Sequence, residues 1–227
     1  MSLPGAGSGA GFIRLAVFDC DGTLSDGQAA VCNAMDQAFA ENDLPAPERS
    51  LVRRIVGLSL PLAVRELAPA TSPDQHRAVV ASYKAAFRAA RNEGRLSEPL
   101  FDGIPALLRR LHAKGWTLGV ATGKSDRGLK NTLAINGLSE LFGPLHTADR
   151  HPSKPHPAML QAAMEDAFAA PENTVMIGDT SYDMEMAKHA GARAIGVAWG
   201  YHEMHELLEA GAEAVAETME QLEEIIG

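Results

Sequence analysis

Three things are scarce in this chain. Aromatic residues make up 5% of its 227 positions, there are 2 cysteines, and basic residues number 20 against 29 acidic ones. Long apolar runs are missing too, since none approaches the roughly 20 residues that cross a bilayer. Cys20 and Cys32 have neither the density of a disulfide framework nor the spacing of a metal site, so the expected compartment is a reducing cytoplasm. No basic-then-apolar leader stands at the N-terminus, and no membrane partner is expected. A net charge of -9 argues against nucleic acid or an anionic membrane surface as partner. A small anionic ligand stays within reach, because a local cationic site can overrule the global field. What is present is ordinary for a globular protein: 46% hydrophobic and 22% charged residues in a length that allows one core plus a small inserted domain.

Residues 1–11, rich in glycine and poor in side chains, are expected to form a flexible arm. Apolar runs at Arg14 to Phe18, Thr117 to Ala121, Thr174 to Ile177 and Ala194 to Ala198 read as buried strands. Helical patterns lie between them at Ile104 to Lys114, Asp126 to Asn136, Ala158 to Phe168 and Tyr182 to His189. This alternation predicts an α/β domain with a doubly wound, Rossmann-like parallel sheet. Residues 27–98 break the pattern, showing helices only: Ala29 to Ala40, Glu48 to Val56, Leu60 to Leu67 and Asp74 to Arg91. They predict a small helical-bundle cap inserted into a core made of 12–26 and 99–227.

Ligands of open α/β sheets bind outside the carboxyl ends of the strands, and the polar residues there are unusual. The first strand runs into Asp19-Cys20-Asp21-Gly22-Thr23, the second into Thr122-Gly123, and the one from Thr174 into Asp179, with Asp183 close behind. Lys154 stands in a Pro-rich loop. Crowded carboxylates repel, and burial raises that cost. A divalent cation would resolve it, and hard oxygen ligands in an incomplete cage suit Mg2+, with Asp19 and Asp179 as ligands. Backbone amides around Cys20 to Gly22 are expected to cradle an anion, with Lys154 adding a fixed positive charge. Asp19 and Asp21, two apart on an extended segment, are expected to point the same way.

Four motifs in this order, DCDGTL at 19–24, the Thr122 loop, Lys154 and GDTSYD at 178–183, resemble the haloacid dehalogenase superfamily, in its phosphatase branch with a helical cap. The resemblance covers nearly the whole chain after residue 12. It implies that Asp19 attacks phosphorus to form an aspartyl-phosphate. Asp21 would protonate the leaving oxygen and then activate water, while its main-chain carbonyl joins Asp19 and Asp179 around Mg2+. Cys20, Gly22, Thr122, Gly123 and Lys154 would hold the phosphoryl group, and Asp183 would orient the residues behind the metal.

Within that superfamily the dehalogenases lack an Asp at the place of Asp21, which points away from dehalogenation. Val31 stands where the sugar phosphomutases have a His, which favours hydrolysis over transfer. The stretches Gly196 to Tyr201 and Arg53 to Ser59 resemble the phosphoglycolate phosphatase group. The expected ligand is a small phosphorylated metabolite, and the chain is expected to be a monomer or homodimer. A β-phosphoglucomutase-like phosphomutase, a pyrophosphatase, and a non-catalytic phosphate sensor are the alternatives. Arg53, Arg54, Arg65 and Lys84 are the cap cations considered for a second anionic group. His202 and His205 are expected on a solvated helix surface, and Cys20 is expected to contribute backbone with its side chain packed inward.

Overall fold

A computed structural model describes residues 12–227; the arm expected at 1–11 lies outside the described residues. Six parallel strands form one sheet: β1 (Arg14–Phe18), β2 (Trp116–Thr122), β3 (Phe142–Thr147), β4 (Thr174–Gly178), β5 (Arg193–Val197) and β6 (Ala214–Ala216). Their order is β3-β2-β1-β4-β5-β6. The strand order therefore reverses between β1 and β4, the kind of crevice in which doubly wound folds bind ligands.

Side chains of β1 alternate between the two faces, as strand geometry requires. Ala16 and Phe18 join one buried cluster with the helices α5 (Ile104–Ala113), α6 (Asp126–Ile135) and α10 (Met219–Ile226). Leu15 and Val17 join the opposite cluster with α7 (Ala158–Ala167), α8 (Ser181–Ala190) and α9 (Met204–Ala210). Five of the chain's 9 methionines, Met159, Met164, Met176, Met184 and Met186, fill that second cluster, a use suited to a flexible thioether.

Two strands were not legible as apolar runs. β3 carries Gly143 and Pro144 and forms an edge of the sheet, the place where proline is tolerated because one side of the strand needs no partner. β6 spans 3 residues, too few to register as a period.

Between β1 and α5 the chain makes α1 (Gln28–Ala40), α2 (Arg49–Arg54), α3 (Leu60–Leu67) and α4 (Pro73–Asn92). They share a buried cluster of their own that includes Met35, Phe39, Val52, Val64 and Val79. Ser72 caps α4, accepting from the Gln75 amide while Gln75 reaches back to the Ser72 amide, which satisfies two orphan donors of the first turn. Two connecting segments run side by side, tied by the Asp26 amide donating to Pro99 O at 2.8 Å and Phe101 to Leu24 O at 3.1 Å.

The α1–α4 unit is seated on the sheet domain. The Ser59 amide donates to Ser153 Oγ at 2.7 Å, Tyr182 Oη donates to Arg54 O at 3.3 Å, and Arg54 pairs with Glu206 at 2.5 Å. A Cβ at Gly123 would lie 2.6 Å from the carbonyl oxygens of Gly57 and Leu58, so only glycine lets the two backbones meet. Gly123→Ala is expected to hold the helical unit off the sheet, raising KM and lowering kcat together, with little change in thermal stability. Steady-state kinetics beside a melting curve checks this.

Candidate active site

Apolar β1 and β4 end in carboxylates because each strand leaves the core at its carboxyl end, where a buried backbone gives way to a loop. Asp19 follows β1 and Asp179 follows β4, one on each side of the strand-order reversal, and both are buried. Oxygens of Asp19, Asp179 and Asp183 lie within 4.8 Å of one another. Lys154 Nζ stands 2.6 Å from Asp183 Oδ1 and 2.9 Å from Asp19 Oδ2. The second contact is an ion pair, which makes Lys154 the partner of Asp19 Oδ2. Residues far apart in sequence thus meet at one point.

Each remaining oxygen in the cluster is spoken for. Asp19 Oδ1 accepts from the Cys20 amide at 2.6 Å. Asp179 accepts from Thr23 Oγ1 at 2.7 Å and from the Tyr201 amide at 2.9 Å. Asp183 Oδ2 accepts from the Thr180 amide and hydroxyl, so the head of α8 holds that carboxylate in place. Tight packing enforces the arrangement: a Cβ on Gly22, whose φ is +85°, would lie 2.1 Å from Asp179 Oδ2. Gly200 is packed as closely on the other side, with a would-be Cβ 2.1 Å from Asp179 Cβ.

Three buried carboxyls against one lysine leave excess negative charge. Burial, with the Asp183 charge, pushes Asp19 up to about 6 even against Lys154 and Thr122. Burial and the charges of Asp19 and Asp183 hold Asp179 well above the usual carboxylate range. Burial would lower Lys154, but Asp183 and Asp19 outweigh it and keep the ammonium charged. The Cys20 thiol, buried and near Asp21, is pushed up to about 12, which leaves it neutral and facing inward. Such a set of hard oxygens could hold a metal ion.

Asp21 behaves differently from the strand-pleat expectation. β1 has already ended, and a tight turn, with the Leu24 and Ser25 amides both donating to Cys20 O at 2.9 Å, sends the Asp21 side chain elsewhere. It meets Lys124 Nζ at 2.7 Å, and Lys124 also meets Glu98 Oε1 at 2.5 Å. Asp19 and Asp21 still line the same cavity, together with Thr122, Gly123 and Lys124. The amide cradle expected of Cys20 and Gly22 is not free, since Cys20 N serves Asp19 and Gly22 N donates to Ser25 O at 2.9 Å.

Lys124 and Glu98 were missed by the sequence reading. Burial would lower the Lys124 ammonium, but Asp21 and Glu98 raise it well above its ordinary value. Glu98 is buried with Oε2 unpartnered, and it sits where the chain returns from the helical unit. Lys124→Met would leave two carboxylates facing each other without a counter-charge. Asp21 should then shift, costing on the order of 100-fold in kcat for an alkyl phosphate. The loss should be smaller for p-nitrophenyl phosphate, whose leaving oxygen needs less protonation; equal losses on both esters would contradict this role.

One further expectation is corrected. His202 precedes α9, is buried, accepts from the Ser181 amide at 3.2 Å and donates from Nε2 to Arg54 O at 3.0 Å; it is packing between units, not helix surface. Of the four cap cations considered, Lys84 lines the cavity, while Arg54 is committed to Glu206.

A doubly wound sheet with a helical unit over its switch point, and a buried cluster of acids beneath, is the arrangement of a phosphate-ester hydrolase. The sequence model of the haloacid dehalogenase-like hydrolases matches residues 16–197. The chain belongs to that family. It is 35% identical over 214 residues to "Probable phosphatase IndB" of Dickeya dadantii, covering 92% of this chain and 91% of the relative. It is 30% identical over 217 residues to the tyrosine-protein kinase PtkA of Mycobacterium tuberculosis, covering 94% and 72%. A phosphoglycolate phosphatase of Vibrio vulnificus is 27% identical over 219 residues, covering 94% and 96%. The crystal structure of a "predicted phosphatase" from Clostridium acetobutylicum superposes with a TM-score of 0.85 at 26% identity, over 95% of this chain and 98% of that one.

Proposed function

We propose that the chain is a Mg2+-dependent phosphomonoesterase, similar in type to the phosphoglycolate phosphatases, that works through an aspartyl-phosphate on Asp19. The observation that carries this reading is the state of the Asp19 carboxylate. It is buried, held by the Cys20 amide on Oδ1 and by the Lys154 ammonium on Oδ2, and lines the cavity. A carboxylate fixed in this way, with a cation beside it and a cavity in front of it, is placed to bond to phosphorus.

Mg2+ fits the donor set: Asp19 and Asp179 are hard oxygen ligands, and three buried carboxyls against one lysine leave unneutralised charge. The family resemblance adds the Asp21 main-chain carbonyl. By the same resemblance Asp183 stands behind them, its oxygens held by Lys154 and Thr180. The ion would supply charge neutralisation for the phosphoryl oxygens and relief of the carboxylate repulsion.

In the first step the Asp19 carboxylate forms a bond to phosphorus as the ester P–O bond breaks, and Asp21 gives its proton to the departing oxygen. In the second, Asp21 takes a proton from water, the water oxygen bonds to phosphorus, and the Asp19–phosphate bond breaks to release inorganic phosphate. Thr122 and Lys154 steady the phosphoryl oxygens, and the Lys124–Glu98 pair fixes where Asp21 stands. The α1–α4 unit acts as a cap that keeps water out during the first step. Val31 lines the cavity where a phosphomutase would place its His, which favours water as the acceptor. Free Cys20 and Cys32 suit a reducing cytoplasm; among the described residues no helix is long and apolar enough to cross a membrane.

The test is release of inorganic phosphate from p-nitrophenyl phosphate with and without Mg2+. Release that requires Mg2+ supports the reading. Failure on this ester and on a panel of natural phosphate esters sinks it in favour of a phosphate-binding protein.

A further inference from the structure

We infer that the substrate is a phosphomonoester whose leaving group has a bulky apolar body, able to present a ring, and a second anionic group at its far end. The inference rests on the phosphatase reading above and names the substrate class of the same site. The cavity over Asp19 and Asp21 measures about 420 Å³, within the roughly 300–1,000 Å³ typical of sites for drug-sized ligands. A two-carbon leaving group such as glycolate would touch its floor and leave the rest wet. The upper wall is apolar, with Met35, Val52 and Leu58. It is also aromatic: Tyr83 and Phe87 of α4 both line the cavity, with ring centroids 5.0 Å apart and planes inclined at 36°. A hydrocarbon or ring body gains by covering such a wall.

Positive charge gathers around the same cavity in a protein whose net charge is -9. Lys84, Arg88 and Arg91 lie on one stripe of α4, at helical spacings of four and three, and Arg127 lines the cavity from the first turns of α6. None of the four enters an ion pair among the described residues. Arg91 Nε is buried with no hydrogen-bond partner, a cost that an incoming carboxylate or phosphate would relieve. Phosphoryl binding is assigned to Thr122, which lines the cavity, and to Lys154 behind Asp19, so the α4 cations and Arg127 are left for a different anion.

The test compares three esters with Mg2+ present: 2-phosphoglycolate, the phosphate ester of 4-propylphenol, and that of 4-hydroxyphenylpropanoate, which has the same body plus a distal carboxylate. The carboxylated ester should exceed the propylphenol ester in kcat/KM by about tenfold, the size of a charge-assisted contact, and 2-phosphoglycolate by more. Arg91→Gln, and separately Arg88→Gln, should bring the first ratio toward one. A preference for 2-phosphoglycolate, or a ratio that neither variant changes, would overturn the inference. Calorimetric binding of the matching benzylphosphonates, which cannot be hydrolysed, separates the two claims. A tenfold affinity advantage for the carboxylated phosphonate without turnover of any ester upholds the ligand class of the cavity and removes the phosphatase reading. Turnover without any such advantage, in rate or in affinity, does the reverse.

Discussion

Asp19→Asn is expected to lower phosphatase turnover by at least about 10,000-fold, the scale on which loss of a covalent nucleophile is felt. The substitution is nearly isosteric, and it removes one negative charge from a crowd of three buried carboxyls. Lys154 keeps its 2.6 Å contact with Asp183, so no buried ammonium is stranded. The fold should therefore survive, with a melting temperature for the metal-free protein at pH 7 no lower than that of the parent. Near-normal turnover in a folded Asp19→Asn protein would remove Asp19 from the chemistry. Lost turnover accompanied by unfolding would show that the residue is structural.

A second large effect is thermodynamic. Saturating Mg2+, at about 100 times its dissociation constant, should stabilise the metal-free protein by about 2.7 kcal/mol. For a chain of this size that is a rise of roughly 5–10 °C in melting temperature. The gain should be greater at pH 7 than at pH 5. Asp19 is raised in the fold to about 6, above an unfolded value near 4. Its contribution to the stability of the metal-free protein is then fully present below about pH 4 and disappears as pH rises through about 6, a difference of about 3 kcal/mol. The metal-free protein is thus weakened at pH 7, where a cation compensates best, whereas at pH 5 protons compete for the same oxygens. Melting curves at both pH values, with and without MgCl2, decide the point. No Mg2+ effect, or a larger one at pH 5, would contradict the proposed metal site.

Much of the fold was legible because β1, β2, β4 and β5 are apolar runs long enough to bury on both faces, separated by helices with a core-facing stripe. Edge strand β3, carrying Pro144, and the three-residue β6 gave no such signal, since their pairing is decided by neighbours and not by their own composition. Asp19, Thr122 and Asp179 could be singled out because each stands where an apolar run stops. Lys124 and Glu98 could not. Their pairing depends on where the chain returns from the cap, a tertiary fact, and Lys124 followed Thr122-Gly123 like any polar loop residue. The stripe of Lys84, Arg88 and Arg91 has readable helical spacing, yet which side of α4 faces the cavity follows from the packing of α1 to α4. Arg54, which looked equally available, is committed to Glu206 across the two units.

The most direct measurement is reductive trapping during turnover. Borohydride added to the enzyme with Mg2+ and an aryl phosphate should convert an aspartyl-phosphate to homoserine, read by mass spectrometry of the peptide containing residue 19. Homoserine at position 19, absent without substrate, is the predicted result. An unmodified peptide during verified turnover, or modification at Asp21 in its place, would contradict the account.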